Sequence, residues 1–180
     1  MKGILFKPDM IQAIIEGRKT QTRRVIKPQP KADLIKHANS SYWISGLTDD
    51  TYERVHIPRY QVGETVYIKE AWCESYYGEP ICYKLDGKES PGPKGFWRSP
   101  IFLKAINARY FILIKGVRAE RLQEITPKDC IAEGIIEEYG DGLALRDKFE
   151  NLWDSINKDY PWESNPWVFR YEFEYQAKEK

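Results

Sequence analysis

The chain has 180 residues, 42% of them hydrophobic and 14% aromatic, which excludes a disordered chain and suits one domain with a core of its own. No apolar run is long enough to cross a membrane, and the start, MKGILFKPDM, lacks the apolar stretch and cleavage site of a signal peptide; a cytoplasmic location is expected. Net charge is +1, split as +8 over residues 1–119 and −7 over residues 120–180, which excludes wholesale coating of nucleic acid but leaves an anionic partner for the N-terminal half.

Taken in chain order, Ile4-Leu5-Phe6 reads as a short strand. Pro8 and Asp9 open a helix with Ile11, Ile14 and Ile15 on one stripe. Gly17, with positive φ available, is where that helix should stop. Directly after it comes EGRKTQTRR, with Arg18, Lys19, Arg23 and Arg24 inside nine residues. Cations suit the negative end of a helix dipole. Such a stretch is either a solvated turn or a surface made to meet an anion.

Residues 27–61 carry Pro28, Pro30 and Pro58 without a clear period and read as a long loop or insertion. Gly63-Glu64-Thr65 reads as a turn into a strand over residues 66–72. Residues 74–100 are again irregular, with a short strand at Ile81–Leu85. Long irregular segments in a compact domain are usually functional or mobile. Tyr110–Val117 is an apolar strand that continues through Arg121. Thr126-Pro127 supplies an N-cap hydroxyl and a proline at the first helical position, and Gly134 ends that short helix. A second helix over residues 143–156 buries Leu145, Phe149, Leu152, Trp153 and Ile156. Finally, Trp167, Phe169, Tyr171, Phe173 and Tyr175 alternate with Val168, Arg170, Glu172 and Glu174, the pattern of a half-buried strand.

Strands with single helices between them and no βαβ repeat predict an α+β fold: a small, mostly antiparallel or mixed β-barrel with flanking helices. Cys73, Cys82 and Cys130 are widely spaced with no CxxC pair, so three reduced thiols are expected. His37 and His56 are the two histidines, and His56 reads as a loop residue. No metal centre and no cofactor is expected.

Three signals stand in order: GRKTQTRR after a helix, GETVYIKEAW, and RLQEITPKDCIAEGI, followed by a Trp-rich end containing NPWV. Together they resemble the ASCH family, whose fold is similar to the PUA domains of RNA-modifying proteins. The longer members found in phages and prophages share the GRKTQTRR opening and the NPWV ending. The resemblance spans nearly the whole chain. It implies one PUA-like domain over residues 1–180, with insertions at about 27–61 and 74–100. A bacterial member that hydrolyses N4-acetylcytidine uses a Lys, a Thr and a Glu. Carried over by motif, these are Lys19, Thr22 and Glu133. Other members are regarded as RNA or DNA binders, and one branch as a ribonuclease.

The chemistry sets conditions. A threonine hydroxyl needs a neighbour to take its proton. In an extended segment Lys19 and Thr22 would face opposite sides, so a turn or bulge is required. Burial and the nearby arginines would lower the Lys19 pKa, while Glu133 would raise it. Arg18, Thr20, Arg23 and Arg24 are the candidates for contacting substrate or nucleic acid, Arg24 through its fork of donors. Three readings stay open: an amidohydrolase acting on an acylated cytidine, a non-catalytic reader of RNA or DNA using the same cleft, and a phage interaction protein whose fold is only scaffold.

Overall fold

A computed structural model describes residues 1–38, 40–48, 51–74, 80–87, 96–136 and 142–177. In chain order the elements are β1 (Gly3–Leu5), α1 (Pro8–Ile15), β2 (Gln21–Val25), β3 (Leu34–Lys36), β4 (Trp43–Thr48), β5 (Thr51–His56), β6 (Thr65–Lys69), β7 (Trp72–Glu74), β8 (Pro80–Tyr83), β9 (Trp97–Arg98), β10 (Tyr110–Arg121), α2 (Pro127–Ala132), α3 (Gly142–Ile156) and β11 (Trp167–Ala177).

The central sheet has the order β1-β6-β10-β11-β2. Its spine is the long antiparallel pair β10–β11, with a register shift between Ile114 and Gly116. Gly116 suits that bulge, because a Cβ there would lie 2.8 Å from Glu172 Oε2. β1 joins β6 in parallel, and β2 pairs antiparallel with β11. The fold is mixed α+β with flanking helices, as the sequence predicts. The sheet is open, with β1 and β2 at its edges, and does not close into a barrel.

Two apolar clusters hold the sheet between layers. The first joins Ile11 and Ile14 of α1 to Ile68, Ile112, Ile114, Phe169, Tyr171 and Phe173 of the strands. The second joins α2 and α3 to the other face through Cys130, Leu145, Phe149, Trp153, Trp162 and Val168. The alternation read in β11 is present: Phe169, Tyr171 and Phe173 are buried, Glu172 and Glu174 exposed.

Residues 27–61 are not the unstructured loop that their proline content suggests. They contain a three-stranded antiparallel sheet, β3-β4-β5. Its strands are short, so no period shows in the sequence. The strand expected over 66–72 is split: β6 stays in the central sheet and β7 crosses into a second small sheet, β8-β7-β9.

That second sheet corrects the cysteine reading. The β7–β8 register sets Cys73 opposite Cys82, and they form a disulfide with Cα atoms 5.3 Å apart. A hairpin brought the pair together, which a search for CxxC spacing does not detect. Cys130 is free and buried. The thiols therefore no longer argue for a reducing compartment. His56 is likewise not a loop residue. It lies on β5, buried, with Nε2 3.0 Å from Ser45 Oγ, and burial followed by the nearby Arg54 charge holds its pKa below the usual value. Among the described residues no helix is long and apolar enough to cross a membrane.

Candidate functional site

The basic stretch is fixed by its backbone before any side chain is considered. Gly17, at φ +75°, turns the chain back on α1. The N–H groups of Arg18 and Lys19 both donate to Ala13 O, at 2.9 and 3.0 Å. Thr20 N–H donates to Ala132 O at the end of α2, and Thr20 O accepts from Phe173 N–H on β11, each at 2.8 Å. Lys19 thus lies in a pinned turn before β2, outside the alternation of that strand. The parity objection falls, and Lys19 and Thr22 line one cavity.

Lys19 is 2% exposed and Glu133, the C-cap of α2, is 5% exposed. Lys19 Nζ donates to Glu133 Oε2 at 2.7 Å and to Glu133 O at 2.6 Å. Gly134 permits this approach: its φ is +93°, and a Cβ there would sit 3.2 Å from the Lys19 Cβ. Burial lowers the Lys19 pKa, Glu133 opposes that shift, and Arg24 and Arg23 add to it.

Arg23 is buried beside the pair. It donates from Nη1 to Glu133 Oε1 at 3.0 Å and from Nε to Glu120 Oε1 at 2.9 Å, and its Nη2 lies 3.4 Å from Asp129 Oδ2. Arg170 closes the group, 3.3 Å from Asp129 and 3.6 Å from Glu120. Lys19, Arg23 and Arg170 therefore face Glu120, Asp129 and Glu133, a set of balanced charges in which Asp129 and Arg170 are half-buried and the other four buried. Removing Glu133 would leave the buried Lys19 ammonium with no carboxylate among the described residues to offset its desolvation.

Arg24 differs. Its Nη2 donates to the Leu5 carbonyl at 2.6 Å, its guanidinium lies 5.1 Å from the centre of the Phe6 ring, and its enclosed Nε has no hydrogen-bond partner. Among the described residues no carboxylate pairs with it. Burial lowers its pKa, against the pull of Tyr60 and Glu133.

The cavity beside these groups measures about 240 Å³. Lys19, Thr22, Arg23, Arg24 and Glu133 form its polar side, and Phe6, Met10, Phe149, Leu152, Trp153 and Ile156 form its apolar side. Among the described residues the Thr22 hydroxyl makes no side-chain hydrogen bond. Two predicted contact residues lie elsewhere: Arg18 pairs with Glu16 at the surface, and Thr20 is exposed and outside the cavity. The sequence reading missed the apolar wall as a wall. Of the α3 stripe read as buried, Leu145, Phe149 and Trp153 are buried, but Leu152 is half-buried and Ile156 is 42% exposed, because part of the stripe lines a hollow that its spacing does not reveal. Glu120 and Arg170, which complete the charge network, carried no signal beyond strand alternation.

No family model matches the chain, and no curated protein does. Among solved structures the chain is similar to the crystal structure of protein EF3133 from Enterococcus faecalis V583, described as family-model DUF984. The identity is 10%, the match covers 98% of this chain and 82% of that one, and the TM-score is 0.46. A likeness that distant carries no argument about function.

Proposed function

We propose that the cavity is an ASCH-type nucleoside site, which takes the acylated cytosine of an N4-acylcytidine and hydrolyses its amide. The observation that carries this reading is the meeting of an amine, a carboxylate and an unpartnered threonine hydroxyl on one cavity with an aromatic wall. The volume lies below the roughly 300–1,000 Å³ of drug-sized ligand sites, which suits a single ring. Phe6, Phe149 and Trp153 offer it apolar surface.

The proposed steps use these groups alone. Burial favours the neutral form of Lys19, the base of the reaction, and Glu133 holds its Nζ in place at 2.7 Å. Thr22 Oγ1 then attacks the acyl carbon and gives its proton to Lys19 Nζ. The carbon–nitrogen bond breaks as Lys19 returns the proton to N4, releasing cytidine. Water, deprotonated by Lys19, attacks the Thr22 ester, and Lys19 returns that proton to Thr22 Oγ1 as the bond breaks, which frees the carboxylic acid and restores both residues.

Turnover of N4-acetylcytidine, followed through the ultraviolet band of the acetylated base, tests this. Activity lost in both Lys19→Ala and Thr22→Val supports the assignment. No turnover of free base, nucleoside or nucleotide would overturn it.

A second reading is a non-catalytic reader of RNA or DNA. Arg24 favours it, as a cation that no carboxylate among the described residues neutralises. Binding would then survive Thr22→Val and weaken in Arg24→Ala. Arg23, held by three carboxylates, would contribute little to contact.

A further inference from the structure

A second hollow, about 750 Å³, opens on the other side of Arg24. It shares Leu5 and Arg24 with the cavity, so the two adjoin at that guanidinium. Five cations line it: Arg24 on β2, Lys27 just beyond, Arg54 on β5, Arg59, and Lys69 on β6. Among the described residues no carboxylate does. In a chain of net charge +1, five positive groups around one groove repel one another with no carboxylate among its described lining residues to offset them. This contrasts with the cavity, where Lys19 and Arg23 already have carboxylates. The cations that are held close have neutral partners: Lys69 Nζ donates to Ile101 O, and Arg24 to Leu5 O. Arg24 Nε is enclosed and unpartnered at the junction.

We propose that this groove binds phosphate esters, so that the ligand is a nucleotide whose base enters the cavity while its phosphate lies across Arg24 toward Lys27 and Arg59. The proposal rests on the nucleoside reading of the cavity and names the charged form in which that nucleoside arrives. Arginine forks and a lysine ammonium suit the several oxygens of a phosphate. A monoanionic carboxylate would leave most of the five charges unrelieved. The phosphate has two sources, a mononucleotide or the backbone of a strand, and both present the same group to the groove.

The test compares binding of cytidine, cytidine 5′-monophosphate and a fluorescein-labelled eight-nucleotide single-stranded RNA. Unmodified protein is measured beside Lys27→Glu and Arg59→Glu, two exposed positions, each checked for folding by circular dichroism. The expected result is that phosphate-bearing ligands bind at least about ten-fold tighter than cytidine, and that each charge reversal removes about ten-fold of that. Affinity should fall as salt rises. RNA binding well above that of the monophosphate identifies a strand; equal affinity identifies a single phosphate. Equal affinity for cytidine and its monophosphate, or charge reversals without effect, overturns the proposal. Failure of the parent reading looks different: N4-acetylcytidine is neither bound nor cleaved, whatever the phosphate does.

Discussion

Lys19 and Glu133, 114 residues apart, meet in the interior with Nζ 2.7 Å from Oε2 and 2.6 Å from the Glu133 carbonyl oxygen. The two partners are not equivalent. Glu133 also holds Arg23, whereas Lys19 has Glu133 alone among the described carboxylates. Glu133→Ala therefore strands the buried Lys19 and takes one of three carboxylates from Arg23, and should cost about 3–5 kcal/mol. Lys19→Met leaves Glu133 paired with Arg23 and should cost clearly less. Urea unfolding of both proteins gives the order, and the reverse order would sink this account of the pair.

The pH dependence follows from the same burial. Lys19 is held below its ordinary 10.5 by desolvation, with Glu133 opposing. The unfolded chain keeps the Lys19 proton up to about 10.5, and the folded protein releases it earlier. Between those two points the unfolded state binds more protons, so this residue makes stability rise with pH. Tyr171, pushed up to about 12 by burial, acts oppositely above pH 10, but equally in the unmodified protein and in Lys19→Met. The stability difference between those two proteins should thus shift in favour of the unmodified one as pH climbs toward 10.5. A difference that stays flat from pH 7 to 10 would show that Lys19 is solvated.

Much of the fold was readable because its signals are local. Pro8, Gly17, Thr126-Pro127 and the alternation of β11 each act within a few residues. The site was readable in part for the same reason: GRKTQTRR marks the segment that carries Lys19, Thr22 and Arg24. What could not be read depends on contacts far apart in sequence. The fate of each cation is the clearest case. Arg18, Lys19, Arg23 and Arg24 look alike in the sequence, yet one pairs at the surface, two are neutralised by acids more than 90 residues away, and Arg24 alone meets no described carboxylate. The Cys73–Cys82 bond and the sheet within 27–61 were hidden likewise, since both depend on hairpin pairing.

Two glycines separate backbone strain from close contact. Gly17 and Gly134 both have positive φ, at +75° and +93°. A Cβ on Gly17 meets nothing within 4 Å, whereas one on Gly134 meets the Lys19 Cβ at 3.2 Å. Gly17→Ala should cost the conformational term of about 1 kcal/mol. Gly134→Ala should cost more and should also lower any turnover by displacing Lys19. Equal melting shifts for the two variants would remove Gly134 from the site's support.

Thiol counting checks the covalent structure without any assumption about function. The chain has three cysteines, two of them in the Cys73–Cys82 bond. Burial raises the Cys130 thiol to about 11, so at pH 8 well under one per cent is thiolate, the reactive form. The native protein should show almost no reaction with a chromogenic disulfide reagent. Unfolding without reductant should reveal one thiol per chain, and unfolding after reduction and removal of the reductant should reveal three. Three thiols before reduction would mean that Cys73 and Cys82 are not bonded. A fast-reacting thiol in the native protein would mean that Cys130 is not sealed between α2 and α3.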